Sequence, residues 1–454
     1  MLNQIICQKA RLSRDPRFDG KFFTAVKTTG IYCRPICPAM TPKEENVLYF
    51  SSAIEAGNAG YRPCLRCRPD SAPGSPAWKG VNSTLDRAIR LIGEGVLQEA
   101  SLHTLAERLG ISDRYLRQLF KKQLGISPKA YALYQQCLFA KQLLHQTKLS
   151  ITHVALASGF NSVRRFNDCL QSQLSLTPSQ IRKTGGTTSS NLQLQLYYRP
   201  PYDWSYMHSF LMTRAIPNLE WCDERCYGRT FAWLGCSGRF TVHHVEHENR
   251  FDVAVELDDV THLRPIVNNI RRLLDLDVDI EAVEQELQRY FGASNLIKTG
   301  LRLPGTWSMF EAGIRAILGQ QISVTAARNL VTALVAALGQ STGTYRLFPS
   351  PQSIAESELD FLKIPASRKQ TLRNLAQHYM NHDAPNDPQQ WLTLKGIGPW
   401  SVGYARLRGL SDPDIYLGGD LGVKRAVGRA AHGGNPELAA PWRSYLTLQL
   451  WSQL

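Results

Sequence analysis

Through most of the 454-residue chain, apolar positions recur with a helical period, and one such pattern occurs twice. Leu102–Leu109 holds apolar residues at helical spacing. Gly110-Ile111-Ser112 breaks the period, Asp113–Leu124 resumes it, and Gly125-Ile126-Ser127-Pro128 closes the unit. Ile151–Ala157 then repeats the first helix, Gly159-Phe160-Asn161-Ser162 the turn, and Val163–Leu174 the second helix, closed by Leu176-Thr177-Pro178. A long helix over 130–146 joins the two copies. Period-two alternation predicts a strand over 192–196 and a β-hairpin over 240–257. From Phe310 the run FEAGIRAILGQQISVTAARNLVTALVAALG returns to helical core periodicity. Residues 71–80 and 183–191, rich in Ser, Gly, Pro and Thr, read as flexible linkers.

A chain of this length holds three or four domains. No apolar run approaches membrane-spanning length, and the N-terminus lacks a charged-then-apolar signal pattern, so a cytoplasmic protein with no membrane partner is expected. The net charge of +14 is unevenly placed: residues 1–184 hold 26 Lys+Arg against 12 Asp+Glu, and 185–454 hold 26 against 26. Within the neutral part, 185–294 is acidic and 295–454 basic. Two nucleic-acid surfaces flanking an acidic segment would give this balance, and so would solvated basic faces.

Four of the ten cysteines form two close pairs, Cys33-x3-Cys37 and Cys64-x2-Cys67. Two such knuckles suit four thiolates around one Zn²⁺, either purely structural or reactive. The surrounding TTGIYCRPICPA…NVLYFSSAIEAGNAGYRPCLRCRPD resembles the N-terminal domain of the Ada adaptive-response family. That resemblance implies one zinc ion that is both structural and nucleophile-activating. It also implies that Cys33 accepts a methyl group from a methylated DNA phosphate. Cys7 falls outside the pattern and reads as a small buried residue. Cys222, Cys226 and Cys236 lack a clear fourth ligand, and His243, His244 and His247 fit strand positions better than a metal site.

The duplicated helix pairs resemble the AraC-type regulator domain, most strongly in VALASGFNSVRRFNDCLQSQLSLTPSQIR. Promoter DNA and, for an activator, RNA polymerase are the partners this implies. Arg114, Arg117 and Gln118 in the first unit, and Arg164, Arg165 and Asn167 in the second, are the candidate groove contacts.

Near the C-terminus, Leu394-Lys395-Gly396-Ile397-Gly398-Pro399-Trp400 places two glycines in a tight turn that opens a helix, where bare backbone suits a phosphate. A packing role for the same turn is the alternative. The run LKGIGPWSVGYARLRG…DIYLGGDLGVKR resembles the helix–hairpin–helix DNA glycosylases of the inducible 3-methyladenine (AlkA) type. By that resemblance Asp420 is the catalytic carboxylate. Phe210, Gln320, Trp400, Tyr404 and Trp451 line the base pocket, and Gly396 and Gly398 meet DNA. Gln321 stands where the family inserts an apolar wedge, and Leu421 where it has an aromatic. A strand-cleaving relative would carry a lysine where Trp400 stands. No cysteine follows Cys236, which excludes an iron–sulfur cluster, and no Pro-Cys-His-Arg motif marks a second methyltransferase.

The expected architecture is multidomain, mainly α with α+β parts: a small zinc domain (1–75), a double helix-turn-helix domain (80–184), an AlkA-like α+β N-terminal layer (190–298) and an all-α helix–hairpin–helix glycosylase domain (299–454). The expected function is bifunctional: sensing of DNA methylphosphotriesters with transcription activation, and excision of alkylated bases to leave an abasic site. A regulator that keeps the glycosylase half only as a weakly active DNA-binding module is the alternative.

Overall fold

The computed structural model describes residues 3–15, 18, 21–37, 39–64, 67, 69, 83–183, 192–292, 296–382, 385–429 and 434–453. The linker expected at 71–80, and that at 183–191 beyond its first residue, lie outside them. Two compact units form: one of Met1–Arg199 with Asp259–Asn268 and Leu276–Val278, the other of Pro200–Asp258, Asn269–Asp275 and Asp279–Leu454.

The first unit opens with α1 (Gln4–Leu12), capped by the Asn3 side chain on the Ile5 N–H. Four short strands follow: β1 (Phe23–Val26), β2 (Ile31–Cys33), β3 (Val47–Phe50) and, after α2 (Ala53–Asn58), β4 (Arg62–Pro63). They lie in the order β3-β1-β2-β4, with β4 parallel to β2, so Cys33 at the end of β2 and Cys64 just past β4 leave the sheet side by side. Phe23, Ala25, Tyr32 and Ala56 form its small core. Cys7 is buried beside Phe22, in the place expected of it.

The helical part runs α3 (Ser83–Gly93), α4 (Val96–Glu99), α5 (Leu102–Leu109), α6 (Asp113–Leu124), α7 (Pro128–Gln146), α8 (Ile151–Ala157), α9 (Val163–Leu174) and α10 (Pro178–Lys183), then β5 (Gln193–Tyr197). Every helix from α5 to α9 begins with a serine whose hydroxyl accepts a first-turn N–H: Ser101, Ser112, Ser127, Ser150 and Ser162. These caps fix where the chain turns, which is why the boundaries were readable in advance. Leu105, Leu116 and Phe120 centre one unit's core, and Val154, Phe166 and Leu170 are buried in the other.

In the second unit α11 (Trp204–Arg214) precedes four antiparallel strands: β6 (Glu220–Cys222), β7 (Cys226–Trp233), β8 (Cys236–Val245) and β9 (Arg250–Leu257). The predicted hairpin is β8–β9. His243 and His247 are exposed on it, while His244 packs among Tyr202, Trp204 and Phe251. Helix α12 (Leu263–Leu273) is divided between the units after Asn268, and the remaining helices are α13 (Ile280–Phe291), α14 (Met309–Gly319), α15 (Val324–Leu338), α16 (Pro351–Glu356), α17 (Ala366–Asn381), α18 (Pro388–Trp391), α19 (Pro399–Gly409), α20 (Leu421–Arg429) and α21 (Arg443–Trp451), with the small hairpin β10 (Ser341–Thr342)–β11 (Tyr345–Arg346) after α15.

Helix α14 is the buried axis of this unit. Gly409 of α19 lies so close that a Cβ there would sit 2.5 Å from the Met309 Cα. Glu311, 1% exposed, accepts from Arg229 through both carboxylate oxygens (2.8 and 3.2 Å) and from Arg315 (2.9 Å). Arg315 also reaches Glu220, which joins strands and helix in one ionic network.

Candidate functional site

Each unit carries one constellation. In the first, the sulfurs of Cys33, Cys37, Cys64 and Cys67 all lie within 4.8 Å of one another. A tetrahedron of thiolates at ordinary zinc–sulfur distance has edges of about 3.8 Å, so the donor set fits one zinc ion. The four sulfurs are not equivalent. Cys67 Sγ accepts the Arg34 N–H (3.4 Å). Among the described residues no backbone N–H reaches Cys33 Sγ. Cys64 and Cys67 are also buried, whereas Cys33 and Cys37 are half-exposed.

Beside it, the helix-turn-helix units expose all six predicted groove residues: Arg114, Arg117 and Gln118 on α6, and Arg164, Arg165 and Asn167 on α9. Asp113 sits 3.9 Å from Arg117 and binds His103 (3.2 Å), whose pKa it raises. Sequence reasoning passed over Tyr115, half-exposed between Arg114 and Arg117.

In the second unit the chain turns from α18 into α19 at Leu394–Gly398. Gly396 has φ +91°, and a Cβ there would meet the Thr371 Oγ1 at 2.0 Å, so only glycine fits. Gly398 precedes α19 with no side-chain cap, and a Cβ on it would meet nothing within 4 Å. The start of α19 therefore has room beside Gly398 and no side-chain cap on its first N–H groups, which suits a phosphate contact.

In the first turn of α19, Trp400 stacks on Tyr404 (5.4 Å, 27°), and Phe210 of α11 stacks on Trp451 of α21 (6.4 Å, 26°). Asp420 joins the two pairs. Its Oδ2 accepts the Trp400 indole N–H (3.1 Å) and its Oδ1 the Trp451 indole N–H (3.0 Å). The backbone N–H groups of Gly422 and Val423 at the start of α20 also donate to Oδ1 (2.8 and 3.2 Å). Four donors fix this carboxylate in direction. Gln320 turns its amide to the hairpin, donating to the Gly396 carbonyl (3.2 Å) and Ser401 Oγ (3.1 Å). Gln321 follows it, exposed and at φ 60°, with Ile322 also exposed.

Two arginines escaped the sequence reading. Arg408 donates to the Tyr404 hydroxyl (3.0 Å) and lies over Phe210 (4.8 Å), while Arg214 stacks on Phe210 at 3.7 Å. Their signal was helical spacing, each four residues from one of these stacked aromatics. Burial alone would raise the Tyr404 phenol, but the guanidinium groups of Arg408, Arg214 and Arg315 bring it below its ordinary value. Burial lowers Arg214 itself to about 10. The thiols Cys222 and Cys226 are pushed up to about 12 and about 11, chiefly by burial.

Comparison with known proteins gives three matching domain models: the metal-binding domain of Ada over 6–70, a helix-turn-helix domain over 105–184, and the AlkA N-terminal domain over 193–308. A probable bifunctional transcriptional activator/DNA repair enzyme AlkA of Mycobacterium tuberculosis is 34% identical, covering 99% of this chain and 96% of its own. DNA-3-methyladenine glycosylase 2 of Escherichia coli is 32% identical over 56% of this chain and 95% of its own. The bifunctional transcriptional activator/DNA repair enzyme Ada of Escherichia coli is 36% identical over 38% of this chain and 48% of its own.

Proposed function

The chain belongs to the family of bifunctional transcriptional activator/DNA repair enzymes of the AlkA and Ada type, and from that premise we propose that it senses methylated DNA phosphates through Cys33 and excises alkylated bases at Asp420. The single observation that carries the repair half is the Asp420 carboxylate, pinned by two indoles that each belong to a stacked aromatic pair.

An alkylated purine flipped from the duplex would enter between the aromatic rings, which suit its positively charged face. As the glycosidic bond breaks, its electron pair leaves with the base and positive charge grows on the sugar. The fixed Asp420 carboxylate opposes that charge without reorganising. Water then completes hydrolysis, and with no amine at Trp400 the strand stays intact. The hairpin glycines, Gly396 and Gly398, let the backbone meet the flanking phosphates, and Gln321 stands ready to fill the vacated stack.

In the sensing half, a bound zinc ion supplies the positive charge that keeps four thiols ionised at neutral pH. The Cys33 sulfur attacks the methyl carbon of a phosphotriester. An S–C bond forms as the O–C bond breaks, and the electron pair remains on the phosphate oxygen. The sulfur loses its charge, the phosphate regains one, and the protein surface facing DNA becomes one unit less negative. Promoter DNA is then read by α6 and α9, with RNA polymerase as the partner of activation and the cytoplasm as the location. The domain division 1–75, 80–184, 190–298 and 299–454 goes with this reading.

Incubating the protein with methylated duplex DNA tests both halves. Free 3-methyladenine and an unbroken abasic strand are expected, together with one methyl group on Cys33 by mass spectrometry. A methyl group found mainly on another cysteine, or a covalent DNA complex trapped by borohydride, would overturn the corresponding half.

A further inference from the structure

The strand that ends in Cys33 does not stop at its own sheet. Tyr32, wholly buried and next to Cys33, takes the Cys64 N–H on its carbonyl (2.9 Å), so it is bound to both zinc knuckles. Its hydroxyl reaches the Tyr134 hydroxyl of α7 at 3.0 Å. Gly57 of α2 lies against the Tyr134 ring; a Cβ there would be 3.9 Å from it. Helix α7 in turn serves both DNA-reading units. Tyr134 packs on the core of the first, beside Tyr131, and Gln136, half a turn on, donates to the Gly159 carbonyl in the turn of the second (3.0 Å). The strand leading into Cys64, β4, also lies against α9.

We propose that Tyr134 is a positioning residue: through Tyr32 it holds the methyl-accepting strand in fixed register with α6 and α9, so that the charge lost at Cys33 is read by the same duplex that these helices grip. The proposal rests on the sensing function given above. Linking binding modules rigidly converts the second contact into an intramolecular one, whose benefit falls when the spacing becomes loose. Without the hydroxyl pair the zinc centre keeps its ligands and its reactivity, but its charge change is no longer delivered at a set place on the DNA.

The test uses the full-length zinc protein and its Tyr134→Phe, Tyr32→Phe and doubly substituted forms. Zinc content, methyl transfer to Cys33 and promoter affinity before methylation are measured beside affinity after it. Tyr134→Phe should keep the first three and lower the methylation-dependent gain in affinity by about two- to tenfold, the worth of one net hydrogen bond. Tyr32→Phe should do the same, and the double substitution should lose no more than either single one. A full gain in Tyr134→Phe, or losses that add in the double form, would overturn the proposal alone. No gain in the wild-type protein would overturn the sensing function and this proposal with it.

Discussion

In the proposed reaction the chemistry at Asp420 depends on one charge in one direction. Replacing it with Asn keeps the shape and removes the charge that opposes the sugar cation. Loss of a preorganised electrostatic group of this kind costs about 2.7–4 kcal/mol, or about 100- to 1000-fold in rate. Base release from methylated duplex should fall by that factor while DNA affinity holds, since the hairpin glycines are untouched; release at the wild-type rate would move the carboxylate's role elsewhere. Gln321 belongs to the same scale. Its side chain stands exposed on a left-handed backbone position beside exposed Ile322. A polar group fills a gap in stacked bases less favourably than an apolar one, so Gln321→Leu should tighten binding to DNA that already contains an abasic site. Unchanged affinity in a fluorescence titration would show that Gln321 does not enter the duplex.

Helix α14 shows what an element contributes when its charges are buried. Burial would raise Glu311, but Arg229 and Arg315 outweigh it and bring the carboxyl from its ordinary 4.5 to about 2. Because the folded value lies below the unfolded one, the stabilisation is complete above pH 4.5 and is lost as pH falls towards 2. Glu311→Gln leaves the buried Arg229 and Arg315 guanidinium groups to share Glu220 without the Glu311 charge, a loss of about 3–5 kcal/mol that urea unfolding at pH 7 would register. Should the variant unfold at the wild-type urea concentration, the network is not a source of stability. Of this network only the Glu311–Arg315 pair, one turn apart on α14, follows from local spacing; Glu220 and Arg229 join it through tertiary packing of β6 and β7. The helix-turn-helix elements were legible for the opposite reason. Serine caps and glycine turns are local signals, and they mark α5, α6, α8 and α9 residue by residue. The pocket falls between these cases. Trp400, Tyr404, Arg408 and Asp420 stand close together in one recognisable run, whereas Arg214 comes to them from α11 by folding.

For the molecule as a whole, each chemistry is built within one compact unit, so the two should fail independently. Asp420→Asn should leave methyl transfer to Cys33 unaltered, and Cys33→Ser should leave base release unaltered. The basic excess of the first 184 residues, 26 cations against 12 anions, supplies the long-range pull on DNA in which the sensing step operates. Methylation removes one negative charge from the surface facing phosphate, which acts like one additional cationic contact. The slope of log affinity against log salt should steepen by about 0.9 for one such charge. Between 50 and 200 mM salt, the advantage of the methylated protein should therefore shrink by about threefold to fourfold. Titrating methylated and unmethylated protein against the same promoter duplex across that range separates the possibilities. An advantage independent of salt would mean that methylation acts by changing shape, since a charge effect cannot escape screening.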